Sequence, residues 1–132
     1  IFHCGPIMRR REDGGWSVVA AGPTTSARMN KLGPEMIPTF NIRAIIGKGG
    51  MSRETADAMR DYGCVYLAAT GGAAISLAEG LDRCVGCEWE DLGMAEAMWK
   101  FESNRLGPLI VAIDANGESL YDRVNASLVR DA

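Results

Sequence analysis

The chain reads as an α/β protein built on a mixed, mainly parallel sheet, and three observations carry that expectation. Short, near-continuous apolar runs at 18–21, 44–46, 65–69 and 109–113 have the character of strands buried on both faces. Amphipathic stretches of helical period separate them, the alternation of a layered α/β architecture. Glycine-rich turns at 21–25, 47–50 and 70–72 lie between a run and a following helix. With 132 residues, the chain is expected to form a single domain over 1–132, burying roughly two thirds of its unfolded surface.

Taken in order, Ile1, Phe2, His3 and Cys4 read as a strand entering a turn at Gly5-Pro6. The sequence opens without an initiator methionine, so a preceding segment is expected to be missing. Arg9, Arg10 and Arg11 run straight into Glu12, Asp13, Gly14 and Gly15, the pattern of a solvated loop. After the first buried strand, Pro23 fixes the backbone ahead of a helix start, Thr24 or Thr25 is a good cap, and Arg28 falls one turn in. Ser52 caps a helix through Tyr62, with Thr55, Met59 and Tyr62 at i, i+4 and i+7.

Cys64 opens the next apolar run and belongs in the core. A helix over 72–81 would align Ala74, Leu77, Ala78 and Leu81, and another over 93–101 would align Met94, Ala97, Met98 and Phe101. Asp114, Ala115, Asn116 and Gly117 form a turn signal before a last strand at 119–121, which predicts a terminal hairpin. The tail 122–132 has no firm pattern.

Composition narrows the function. The net charge is −3, from 14 basic and 17 acidic residues, and the basic residues are scattered apart from the arginine run, which argues against a nucleic-acid partner. No apolar run approaches the roughly 20 residues that span a bilayer, and no signal peptide is visible, so a cytoplasmic protein without a membrane partner is expected. Cys4, Cys64, Cys84 and Cys87 are expected to be reduced. Cys84 and Cys87 form one C-x-x-C without a second pair, so no metal site is expected from this chain.

Two of the glycine-rich turns carry a cation. In the first, a carboxylate would meet backbone N–H groups, the hydroxyls of Thr24 and Thr25, and the Arg28 guanidinium, whose fork can pair bidentately. In the bland alternative the threonines merely cap and Arg28 is an ordinary surface residue. The second turn, Gly47, Lys48, Gly49, Gly50, puts Lys48 at the carboxyl end of a buried strand, where open α/β sheets place ligands. It is not a Walker A loop, since Lys48 is followed by two glycines and Ser52 comes too late. The three turns are expected to share one edge of the sheet.

Five motifs in sequence then resemble one family: G-P-T-T-S-A-R-M, I-G-K-G, A-T-G-G-A-A, W-E-D-L-G-M-A-E-A-M-W-K and V-A-I-D-A-N-G-E-S-L-Y. The chain is similar, from residue 1 to about 121, to the class I fumarate hydratase and L(+)-tartrate dehydratase family, in its β subunit or the C-terminal domain of fused members. The resemblance implies a swivelling β/β/α domain and a hydro-lyase acting on a C4 dicarboxylate, fumarate with malate or L-tartrate with oxaloacetate. It implies a hetero-oligomer or dimer with an α subunit that carries a 4Fe-4S cluster on its own three cysteines. Catalysis would fall to Thr24, Arg28 and Lys48, and substrate binding to Thr24, Thr25, Arg28, Gly47 and Lys48, with Arg28 and Lys48 clamping carboxylate oxygens. Thr24 occupies the family's catalytic-base position. The family's K-G-x-R-S run reads Lys48, Gly49, Gly50, Met51, Ser52 here, and its further arginine-bearing segment ahead of the first strand has no match.

Two other readings stay open beside the lyase. A non-catalytic dicarboxylate-binding or regulatory module would keep the turns and bind without turnover. A small redox or metal protein working through Cys84 and Cys87 would show a lowered thiol pKa.

Overall fold

The computed structural model describes residues 1–128, and these fall into two compact units. One unit comprises Ile1–His3, Thr25–Ala68 and the chain from Ile110 onward; the other comprises Cys4–Thr24 and Ala69–Leu109.

The first unit holds the mixed sheet. Strand β3 (Ala44–Gly47) pairs in parallel with β4 (Val65–Ala68), which pairs antiparallel with β7 (Ile110–Ile113). On the open side of β3, Phe2 forms a parallel bridge to Ile46. Two helices pack together beside this sheet, α1 (Gly33–Thr39) and α2 (Arg53–Tyr62). Ser52 caps α2 as expected, its hydroxyl accepting from Thr55 N–H, and Gly63 ends the helix in the left-handed conformation. The core gathers Ile37, Ile45, Met59, Cys64, Tyr66 and Ile113.

The second unit is wholly antiparallel. Strand β1 (Cys4–Arg10) pairs with β2 (Trp16–Pro23), and β5 (Leu81–Glu88) pairs with β6 (Met98–Ser103). Helix α3 (Ala74–Ala78) lies against β2, where Gly22 leaves room for the Ala74 methyl. Trp16 meets Trp99 edge-on at 5.1 Å, and Arg10 stacks over Trp16 at 4.7 Å. The α/β class and the mixed sheet stand, with parallel pairing confined to the first unit.

Several local expectations are corrected. The helix expected over 72–81 shrinks to Ala74–Ala78, because Gly80 passes so close to Arg105 that a Cβ there would sit 2.6 Å from its carbonyl oxygen, and Leu81 already belongs to β5. The helix expected over 93–101 is a turn followed by β6: Gly93 takes a positive φ of 94°, and beyond it Trp99 and Phe101 turn inward while Met98 and Lys100 stay exposed. That alternation has period two, which the coincident helical spacing of apolar residues masked. Gly5 and Pro6 lie within β1 instead of in a turn, and Arg9 and Arg10 close that strand. The terminal hairpin reduces to a single bridge between Ile113 and Ser119, after which Ser119 caps α4 (Leu120–Ser127). No helix among the described residues is long and apolar enough to cross a membrane.

Candidate active site

The site is built where the two cation-bearing turns are stitched together. Thr25 and Lys48 form a parallel bridge, and Ser26 N–H donates to Lys48 O at 3.1 Å. Four residues on, the Asn30 carboxamide oxygen accepts from Ser52 N–H at 2.9 Å. The first turn is thus fixed at both ends to the loop that leads from β3 to α2.

The expected capping of a helix by Thr24 or Thr25 does not occur. Residues Ser26–Met29 form one 3-10 turn, and Thr25, at its N-cap, makes no side-chain capping bond. A four-residue turn has too few stacked amides to reward such a cap; what holds it is Ser26. That side chain is fully buried, its Oγ 2.9 Å from His3 Nδ1 and 3.0 Å from the Tyr66 hydroxyl.

Gly47 is required beneath it. A Cβ at that position would lie 1.9 Å from Ser26 Oγ and 3.3 Å from the Tyr66 hydroxyl, so only glycine lets β3 pass the buried serine. Beyond Gly47 the strand emerges, and Lys48 and Gly49 are exposed, with Gly49 at a positive φ of 74°. Arg28, two residues after Ser26, is exposed as well. Arg28 and Lys48 join no ion pair among the described residues, which is equally true of Arg9, Lys31, Arg43, Arg105 and Arg123; what sets the two apart is their place on turns joined backbone to backbone. Two unpaired cations on backbone-bonded turns are an arrangement suited to a small dianion.

Thr25, Arg28, Gly47 and Lys48 therefore come together in the first unit. Thr24 closes the second unit, half-buried, with its Cγ2 near Gly5. The first turn follows β2, which pairs with β1 in a separate sheet, and reaches the second turn through the Thr25–Lys48 bridge; Thr70, Gly71 and Gly72 belong to the second unit.

Reading the sequence missed Ser26, His3 and Tyr66. Ser26 lies in a run of hydroxyl residues with no periodic mark, and Tyr66 and His3 look like ordinary strand residues. Burial lowers the His3 pKa below its ordinary value and raises that of Tyr66, so both are held neutral near pH 7.

No group of three or more metal-binding side chains gathers among the described residues. The cysteines are free and dispersed: Cys64 is buried in the core of the first unit, Cys4 lies on β1, and Cys84 and Cys87 lie on β5. Burial pushes the Cys4 thiol up to about 11. The Cys87 thiol is also raised, by burial and then by the acidic side chain of Glu90, opposite to what a redox C-x-x-C needs. These residues do not fit an iron-sulfur cluster.

Comparison with known proteins bears on this arrangement. The family described as "Fumarase C-terminus" matches residues 1–124. A Methanocaldococcus jannaschii protein named "Putative L(+)-tartrate dehydratase subunit beta" is 51% identical over 95% of this chain and 64% of its own length. A Geobacillus stearothermophilus protein named "Putative fumarate hydratase class I" is 40% identical over 96% of this chain and 24% of its own. The Escherichia coli K12 "L(+)-tartrate dehydratase subunit beta" is 36% identical over 91% of this chain and 59% of its own. The chain spans less than two thirds of each of these relatives.

Proposed function

This chain belongs to the Fumarase C-terminus family, and on that premise we propose that it is the β-type domain of a hydro-lyase for a C4 dicarboxylate, fumarate with malate or L-tartrate with oxaloacetate. Both compact units are read as one such domain. The observation that carries the proposal is the joining of two cation-bearing turns, those of Arg28 and Lys48, backbone to backbone through Thr25, Ser26 and Lys48.

Dehydration of a hydroxy dicarboxylate removes a proton from one carbon and hydroxide from its neighbour, and the two leave as water. The carbon-bound proton is acidified when the adjacent carboxylate is held by cations, because negative charge builds on that carboxylate as the C–H bond breaks. Arg28 supplies a bidentate fork and Lys48 a point charge for this purpose. Gly47 lets the strand carry Lys48 to the surface past Ser26, and Thr25 fixes the register between the two turns. Thr24 takes the proton in this reading. Its hydroxyl is a weak base, which becomes competent only as the alkoxide, a form that cations stabilise.

Departure of the hydroxyl calls for a Lewis acid, for which the described residues gather no ligand set; we assign the 4Fe-4S cluster to a partner α subunit. The active species is then a hetero-oligomer.

The test is an anaerobic assay of the full β chain with the iron-sulfur α chain encoded beside it, following fumarate absorbance with malate and oxaloacetate formation with L-tartrate. Turnover that needs both chains supports the hydro-lyase and names the substrate. Dicarboxylate binding without turnover, the cluster being intact, would replace it with a non-catalytic binding module. Within the active complex, Arg28→Ala and Lys48→Ala should each cost at least about 2 kcal/mol in kcat/KM; unchanged turnover in both would sink the site.

A further inference from the structure

The buried contact of Ser26 with His3 and Tyr66 is more than the turn needs to exist. A backbone bond from Ser26 and the Asn30 side chain already tie this turn to the loop after β3. Yet a serine with no exposed surface is placed where one side chain touches three separate stretches: the segment before β1, the end of β3 and the middle of β4. We infer that Ser26 is a positioning residue that sets the spacing of the Arg28 and Lys48 turns, through a directed hydrogen-bond relay from Tyr66 to Ser26 to His3. The inference rests on the dicarboxylate reading of the site.

The direction of the relay follows from counting protons. The Tyr66 hydroxyl finds Ser26 Oγ as its only side-chain partner among the described residues, so it donates there. The Ser26 proton then needs its own acceptor, and His3 Nδ1, at 2.9 Å, is the one in reach. That leaves His3 neutral, with its proton on Nε2. The reverse direction would strand the tyrosine proton in the core, which costs more than the bond it would replace. With donor and acceptor both assigned, Ser26 Oγ has one orientation, and the Gly47 backbone packs directly on it. The separation between the backbones that present Arg28 and Lys48 is therefore set by a buried oxygen atom as well as by the backbone bond that joins them.

The test uses the full-length chain in complex with its α partner, with Ser26→Ala and Tyr66→Phe measured beside Arg28→Ala and Lys48→Ala. Readouts are KM and kcat, the inhibition constant of succinate as an unreactive dicarboxylate, and the melting temperature. Ser26→Ala is expected to raise both KM and the succinate constant about tenfold, the equivalent of about 1.4 kcal/mol, with kcat falling less than about threefold. Tyr66→Phe should move the same two constants in the same direction. Ser26→Cys, which keeps a donor and an acceptor, should recover part of the loss.

If Ser26→Ala fails to fold, Tyr66→Phe decides alone. Constants within about twofold of the parent in the serine and tyrosine variants, beside large losses in Arg28→Ala and Lys48→Ala, overturn the positioning role and leave the site standing. A lowered melting temperature without any change in KM or the succinate constant likewise overturns it. Unchanged activity in Arg28→Ala and Lys48→Ala overturns the dicarboxylate reading, and this inference with it.

Discussion

Replacing Gly47 by alanine tests the packing of the site most severely. The added Cβ would stand 1.9 Å from Ser26 Oγ, where an ordinary carbon-oxygen contact needs about 3.4 Å, so about 1.5 Å must be found between two buried groups. Close-packed interiors yield such room at about 1–3 kcal/mol. Displacing Ser26 also breaks its bonds to His3 and Tyr66 and leaves buried polar atoms unpaired, at about 1–3 kcal/mol more. The expected loss is about 2–6 kcal/mol, a large share of a domain's usual 5–15 kcal/mol.

The same geometry predicts its own rescue. Once Ser26 is alanine, the nearest atoms to the new Cβ are the residue-26 Cβ and the Tyr66 hydroxyl, each 3.3 Å away, which a shift of a few tenths of an ångström relieves. Gly47→Ala should therefore cost at least about 1 kcal/mol less in a Ser26→Ala background than in the parent. Equilibrium urea unfolding of the four members of this cycle measures both quantities. A Gly47→Ala variant within about 0.5 kcal/mol of the parent, or strict additivity in the double variant, would refute the contact.

Other expectations follow from particular residues. Because burial lowers the His3 pKa from its ordinary 6.5, the unfolded chain binds that proton more readily; stability is complete above pH 6.5 and is lost as pH falls toward the folded value. Urea midpoints at pH 7.5 and pH 5.5 should show the loss, and His3→Gln should flatten it. Ser52→Ala removes the α2 cap and should cost about 1 kcal/mol by the same unfolding assay. Cys84→Ser should leave turnover of the reconstituted complex within about twofold, since among the described residues its thiol bonds only the Gly86 carbonyl.

What was legible in the sequence divides along physical lines. Strands β3, β4 and β7 and helix α2 could be read because apolar run, cap and left-handed glycine all point to one conformation there. Residues 93–103 could not, since Met94, Ala97, Met98 and Phe101 fit a helix while Trp99 and Phe101 fit a strand, and pairing with β5 decided between them. The cations Arg28 and Lys48 stood out through the glycines around them. Ser26 did not, because its importance lies in contacts with residues 23 and 40 positions away, and nothing local marks a hydroxyl that will be buried. The threonines drew attention as caps, and the turn was too short to use them.

The first unit is discontinuous along the chain, and this has a consequence for the order in which it can form. Its mixed sheet takes β3 and β4 from residues 44–68, but β7, whose Ala112 and Ile113 complete the core, is not synthesised until some forty residues later. Until then Tyr66 lacks its partner Ile113, and β4 offers an open edge to any strand that meets it. Contacts of such long sequence separation are slow to close. A nascent chain halted before residue 110 would hold Arg28 and Lys48 in their proper order yet lack the strand that seals the sheet behind them, and early truncation should yield aggregation instead of a smaller folded unit.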